Sequence, residues 1–300
     1  LIHGDEQGAR FSDALCRLAR RGVRVRVLYD WLGAVKSTSR RYWRCLQDAG
    51  VEVRAFNPPD LGSPFGWLSR DHRKAIVVDG QVAFVSGLCV GDMWVGDPAR
   101  GREPWRDTGL EIRGPAVAEV ERACRGTWAL AGPPVTDDVI VPPPVSEGGV
   151  GVRVLASEPI VGNLYRLDKL VAALARERLW LTDAYFIGGT SYVQALVAAA
   201  RDGVDVRLLV PGASDIPLVR ALSRAGYRTL LEGGVRVFEW NGTMLHAKTA
   251  VADGRWARVG STNLNASSWL ANHELDVAVE DAAFAGELES VYEHDLTNAT

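Results

Sequence analysis

His72 and Lys74 stand two residues apart and are followed by Asp79, and His246, Lys248 and Asp253 repeat those types at the same spacing. Both key residue types are scarce, with four lysines (Lys36, Lys74, Lys169, Lys248) among 34 basic residues and five histidines in the chain. Side chains two apart on a strand share a face, so each copy sets an imidazole beside an ammonium. The repeat implies a duplicated unit in which each half brings one histidine and one lysine to a shared site.

The stretches after the two copies also match. Asp79-Gly80 and Asp253-Gly254 lie between apolar runs, the strongest short hairpin signal. Counted as two-residue turns, they set His72 across from Gly87 and His246 across from Ser261. Small residues there (Ser86-Gly87-Leu88-Cys89 and Gly260-Ser261-Thr262-Asn263) leave room for a substrate, and their amides or hydroxyls could bind an anion. Further on, Asp107 and Glu274 each open a strand neighbouring a histidine. An acid so placed can accept from the ring nitrogen not used in chemistry, fixing the tautomer and supporting an imidazolium.

These residues need a scaffold, and it is duplicated too. Gly22-Val-Arg-Val-Arg-Val-Leu28 is echoed by Gly203-Val-Asp-Val-Arg-Leu-Leu209, and Gly50 to Asn57 by Gly234 to Asn241. Each glycine sits just past a stretch of helical period and opens a β-branched run, as a helix C′ residue before a buried strand. Each half reads strand–helix–strand–helix–strand and then the His/Lys strand, Ala75 to Val78 or Thr249 to Ala252. Apolar on both faces, these last strands read as central. The expected fold is α/β, two similar lobes related by a pseudo-twofold, each a mixed, mostly parallel sheet flanked by helices. The lobes span residues 1–130 and 152–300, joined by a Pro/Gly-rich linker at 131–151. Pro58 to Ser69 is an insertion in the first half alone.

Composition is that of an ordinary soluble chain, 47% apolar and 24% charged, and a net charge of −3 gives no overall pull toward nucleic acid. Cys16, Cys45, Cys89 and Cys124 have no zinc-like spacing, so no metal is indicated, and reduced thiols are the default. No stretch reaches the roughly 18–20 apolar residues of a membrane span. The chain opens on Leu1 with what reads as the tail of a strand, so a fragment is expected, with any membrane anchor outside it.

HxKxxxxD followed by a Gly/Ser turn, twice in one chain, resembles the phospholipase D superfamily. Phe56-Asn-Pro-Pro, Asp71-His-Arg-Lys74, Trp105-Arg-Asp-Thr108, His246-Ala-Lys-Thr249 and Gly260-Ser-Thr-Asn263 are similar to bacterial cardiolipin synthases and related phosphatidyltransferases. The likeness covers nearly the whole chain. One departure is Ser86-Gly87-Leu88-Cys89, where the family's first repeat usually reads Gly-Gly-x-Asn. A thiol donates poorly beside an amide, so the first half would hold phosphate less firmly.

The resemblance implies one site for phosphodiesters, free of metal and cofactor, between facing halves. His72 is assigned as the nucleophile that forms a phosphohistidine and His246 as general acid and base. Lys74 and Lys248 would neutralise the nonbridging oxygens. Ser86, Gly87, Ser261 and Asn263 would bind phosphate, and Asp107 and Glu274 would orient the rings. Asp79 and Asp253 belong to the catalytic motif, yet the hairpin reading makes them turn and strand-end residues. The implied partner is a phospholipid, phosphatidylglycerol favoured, at the cytoplasmic side of a bacterial inner membrane. One chain would suffice for the site, and no nucleic acid is expected. Phospholipase D hydrolysis, metal-independent nuclease activity and lipid binding without turnover are the competing readings.

Outside the motifs, His3, His273 and His294 lack such context. Trp67 and Trp94 flank the first motif, where an apolar rim could meet acyl chains. Cys89 reads as a small packed residue. Arg17, Arg20, Arg21 and Arg24 read first as a solvated face and second as a contact to anionic lipid.

Overall fold

The computed structural model describes residues 1–60, 62, 68–136 and 148–300. Trp67 and linker residues 137–147 lie outside them. The first half runs α1 (Glu6–Arg20), β1 (Arg26–Asp30), α2 (Trp31–Ala34), α3 (Arg40–Asp48), β2 (Glu52–Phe56), β3 (Ala75–Val78), β4 (Val82–Ser86), β5 (Gly109–Arg113) and α4 (Ala116–Leu130). The second begins with β6 (Gly151–Ser157), α5 (Asn163–Leu174), β7 (Arg178–Thr182), α6 (Thr190–Arg201), β8 (Asp205–Pro211) and α7 (Pro217–Glu232). It closes with β9 (Arg236–Trp240), β10 (Thr249–Ala252), β11 (Trp256–Gly260), α8 (Ala266–Leu270), β12 (Glu274–Glu280) and α9 (Ala282–Leu296).

The four paired glycines do what their positions require. Gly22, Gly50, Gly203 and Gly234 take φ of 88°, 93°, 93° and 91°. The N–H of the valine after each reaches back to close its helix: Val23 to Leu18 O, Val51 to Leu46 O, Val204 to Ala199 O and Val235 to Leu230 O. That is a glycine-terminated helix C-cap turning into a strand, used four times.

Strand pairing is mixed. β1–β2 and β7–β8–β9 are parallel, and the second half forms one seven-stranded sheet in the order β6-β12-β11-β10-β7-β8-β9. The remaining pairs are antiparallel, so parallel pairing is the lesser share rather than the greater. The reason is local: each His/Lys strand is followed by a tight hairpin, and a tight hairpin can only be antiparallel.

β10 is central and buried, as expected, but β3 is an edge strand of a separate sheet, β3-β4-β5, with Ile76 and Val78 each 47% exposed. In the second half β7 pairs with β10 and joins the two parts of the sheet. Among the described residues no strand does this for β3.

The halves share a core. Val85, Ile112, Val117 and Val120 from the first pack with Leu275, Val277 and Val279 from the second. Each such fully buried aliphatic contributes about 1.5–3 kcal/mol relative to exposure. Arg73, between the first motif's histidine and lysine, adds a polar clamp. Its guanidinium donates to the carbonyls of Ala123, Ser157 and Glu274, fixing the strand of His72 against the opposite half.

The hairpins carry one residue more than a two-residue count allows. Asp79 and Gly80 (φ 50° and 63°) and Asp253 and Gly254 (φ 52° and 62°) form the left-handed turns expected of Asp-Gly. The ladders resume one residue later, with Val78 opposite Val82 and Ala252 opposite Trp256. Gln81 and Arg255 are the added residues. By the same count His72 falls opposite Leu88 and His246 opposite Thr262, not opposite Gly87 and Ser261.

Candidate active site

Each histidine lies in extended chain just before its strand, and each is paired with a segment of the other half. The His72 N–H donates to His273 O at 2.9 Å, and the His246 N–H to Arg106 O at 2.7 Å. These bridges bring up the acids in crossed fashion. His72 Nδ1 is 2.8 Å from Glu274 Oε2, and His246 Nδ1 is 2.8 Å from Asp107 Oδ2. The repeat discloses both acids but not the exchange.

Both carboxylates are held in turn. Glu274, fully buried, also accepts from Ser261 Oγ at 2.6 Å and Asn272 Nδ2 at 3.3 Å. Asp107 accepts from the Trp94 indole at 2.9 Å and from the Thr108 N–H at 2.8 Å. Gly87 packs against this acid so closely that a Cβ there would lie 2.2 Å from Asp107 Oδ1. An ionised carboxylate only accepts, so Nδ1 of each ring carries the proton and Nε2 presents its lone pair.

The electrostatics agree. Burial, then the charges of Lys74 and Lys248, hold His72 well below the usual imidazole range. Burial pulls His246 down to about 3, with Lys248 and Lys74 adding to the fall and Asp107 opposing it. Each imidazole thus feels the lysine of the other half as well as its own. Burial pushes the Asp107 carboxyl up, but the hydrogen bond from His246 and the charge of Lys248 outweigh it and leave the acid below its ordinary value. Lys248 is brought down to about 8, by burial and by Lys74.

Lys74 Nζ donates to His72 O at 2.6 Å and Lys248 Nζ to His246 O. Among the described residues neither ammonium has a carboxylate within ion-pair distance. Asp107 and Asp183 act on Lys248, and Lys74 on Glu274, only at longer range, so two converging cations with no carboxylate in direct contact make a place for an anion.

The expected phosphate binders divide. The Ser86 N–H donates to Lys74 O and the Gly87 N–H to Thr108 O, so both amides are engaged in the fold. Ser261 donates its hydroxyl to Glu274, accepts there from the Leu275 N–H, and gives its own N–H to Leu275 O and Asp276. It positions the acid rather than facing a ligand. Asn263 differs: its side-chain amide makes no hydrogen bond to the described residues, its buried Oδ1 being without a partner, and Nδ2 is the atom with which it can donate to a phosphate oxygen.

Asp79 and Asp253 lie at the hairpin ends of their strands, roughly 15 Å of extended chain from the lysines. Asp79 is exposed. Asp253 accepts from the N–H groups of Arg176, Glu177 and Arg178, capping the entry to β7. Both aspartates therefore stand at the far ends of their strands from the histidines they share a motif with.

Sequence reasoning assigned no role to Trp105 or Tyr185 and set Trp94 only in an apolar rim; the three surround His246 with ring centroids at 5.8, 5.9 and 5.5 Å. Trp94 is therefore tied to the site through Asp107 and is not simply an apolar rim. Buried Asp183 accepts from the Leu264 and Tyr185 N–H groups and so fixes the turn bearing Asn263. Its only sequence signal was a carboxylate ending an apolar strand. His273 is structural, edge-on to Phe56 at 5.2 Å and bridged to Asp71.

Among the described residues no cluster of His, Cys, Asp or Glu has the makings of a metal centre. No described helix is long and apolar enough to cross a membrane.

A family profile described as "Cardiolipin synthase, PLD-like domain" matches residues 7–90 and 171–296. The cardiolipin synthase of Alkalihalophilus pseudofirmus is 34% identical over 307 residues, covering 100% of this chain and 60% of that protein. Cardiolipin synthase A of Pseudomonas fluorescens is 36% identical over 312 residues, covering 100% of this chain and 62% of its own length. The chain thus spans about 60% of the length of the curated relatives it matches. Among solved structures, a phosphatidylserine synthase from Haemophilus influenzae superposes with a TM-score of 0.76 at 17% identity, over 100% of this chain and 80% of that one. A polyphosphate kinase from Porphyromonas gingivalis gives 0.62 at 15% identity, over 97% of this chain and 41% of the other. At such identities these two speak to fold alone.

Proposed function

The chain belongs to the cardiolipin synthase family with its phospholipase D-like domain, and from that premise we propose that it is a phosphatidyltransferase working through a phosphohistidine. The observation that carries the reading is the crossed pair of histidine–acid contacts beside two lysines whose ammonium groups touch no carboxylate.

His72 Nε2 attacks the phosphorus of a phospholipid phosphodiester, and the bond to the leaving alcohol breaks as His246 delivers it a proton. His246 is basic enough to hold that proton only once the substrate's negative charge offsets the nearby lysines, with Asp107 supporting the imidazolium. An incoming alcohol then gives its proton back to His246 and attacks the phosphorus, and the N–P bond breaks. Lys74, Lys248 and Asn263 receive the nonbridging oxygens. Phosphatidylglycerol serves as donor and acceptor, glycerol is released, and one chain suffices because it supplies both rings and both acids. The reaction takes place at a membrane surface, on the cytoplasmic side.

Product analysis tests this. Incubation with phosphatidylglycerol vesicles is expected to yield cardiolipin and glycerol, and phosphatidic acid as sole product would replace transfer by hydrolysis. His72→Ala abolishes covalent labelling, whereas His246→Ala still labels from a substrate with a good leaving group. The opposite pattern would exchange the two roles.

A further inference from the structure

A cleft of about 580 Å³ runs between α1 and the Leu88–Val95 segment. Its inner end is formed by Cys89 and Trp94, the latter bonded to the acid that orients His246. Cys89 lies within electrostatic reach of Lys248 and Tyr185. Its outer wall is α1, which presents Arg10 and Arg17 two turns apart on one face, with Asp13 between them leaving the wall net positive. Neither arginine has an ion-pair partner among the described residues. Leu88 and Val95 give the opposite side an apolar lining, and Val95 is 55% exposed.

The duplication supplies an internal control. Counting back from the paired glycines, α6 carries Ser191 and Ala198 where α1 carries Arg10 and Arg17. At the repeat positions of Phe11 and Val95 the second half carries Tyr192 and Trp269, both buried, their rings edge-on at 5.3 Å. One half packs these positions as buried aromatics, and the other leaves a cleft beside them lined with unpaired guanidinium groups. A cavity of this size lies in the range of roughly 300–1,000 Å³ that takes a small ligand. It admits a phosphoglycerol headgroup and the first carbons of its chains, while the rest of the chains stay in the bilayer.

We propose that this cleft binds the acceptor phospholipid, its phosphate held by Arg10 and Arg17 and its free hydroxyl directed past Cys89 toward His246. The inference rests on the phosphatidyl-transfer reading. It gives the two lipids separate places, the donor's phosphate between the lysines and the acceptor's on α1.

A pulse and chase separates the two steps. The protein is labelled with a trace of phosphatidylglycerol radiolabelled in its acyl chains, then chased with unlabelled phosphatidylglycerol in detergent micelles. The double variant Arg10→Ala/Arg17→Ala and the filling variant Val95→Trp are compared with the unaltered chain. Both variants are expected to form phosphohistidine at close to the normal rate. The acceptor concentration for half-maximal chase into cardiolipin rises about tenfold, a loss of about 1.4 kcal/mol, and more label leaves as phosphatidic acid. Slow labelling would assign the cleft to the donor, and an unchanged chase would assign it to neither lipid; either overturns the proposal. An unaltered chain that labels but gives only phosphatidic acid would remove the transfer reading itself, and the acceptor site with it.

Discussion

Glu274 and His72 are 202 residues apart in sequence and 2.8 Å apart in space. A buried carboxylate from the second half sets the tautomer of an imidazole from the first, and Asp107 returns the arrangement for His246. Each acid therefore governs the step performed by the other half's histidine.

Glu274→Gln is expected to slow phosphohistidine formation on the order of 10²- to 10⁴-fold, because an amide can hold the ring in the wrong tautomer. Asp107→Asn, by contrast, is expected to leave labelling from a good leaving group nearly intact and to slow transfer to the acceptor. Labelling rates for the two variants, with thermal melts to confirm folding, check the crossing. Equal effects on both steps would contradict it.

The response to pH is set by the depressed ammonium. Lys248 loses its proton as pH rises through about 8, so kcat/KM is expected to fall above that pH. On the acid side, His246 in the free protein stays neutral down to about 3, so the proton it delivers is taken up with the substrate and kcat/KM is expected to rise as pH falls from 7 to 5. For stability the sign differs. Between about 3 and the ordinary histidine value the unfolded chain binds more protons at this residue than the folded one, so its contribution rises with pH across that window. Rate profiles and urea melts between pH 5 and 9.5 read both effects.

Gly87→Ala places a methyl 2.2 Å from Asp107 Oδ1, and the acid must move. The step served by His246 is expected to slow at least tenfold, with a stability loss of about 1–3 kcal/mol for the overpacking. Calorimetry and the chase measurement together distinguish this from simple unfolding.

The two motif aspartates are expected to behave as structural residues of unequal weight. Asp253→Asn weakens the charged cap on three N–H groups and costs about 1–2 kcal/mol in stability. Exposed Asp79→Asn costs little, and asparagine tolerates the left-handed turn at both sites. Large losses of turnover at unchanged melting temperature would return both to the catalytic set.

Much of this is legible in the chain. The paired glycines, the Asp-Gly turns and the His/Lys repeats each carry a local rule that tertiary context does not override. Register slips by one residue, because a two-residue turn is the simplest count and Gln81 and Arg255 enlarge the loop. The edge position of β3 is hidden because an apolar strand looks the same at an edge as at a centre. Ser261 is legible as a site residue but not as a support for Glu274, since a hydroxyl's partner depends on which segments the fold brings together. The crossing of the acids has no sequence signal, as both halves present the same order of elements.

That crossing also makes the two halves chemically interdependent. Separated between α4 and β6, each fragment would carry an imidazole lacking its acid and an acid lacking its imidazole. Such a piece regains the arrangement only by pairing, with the other half or with a second copy of itself.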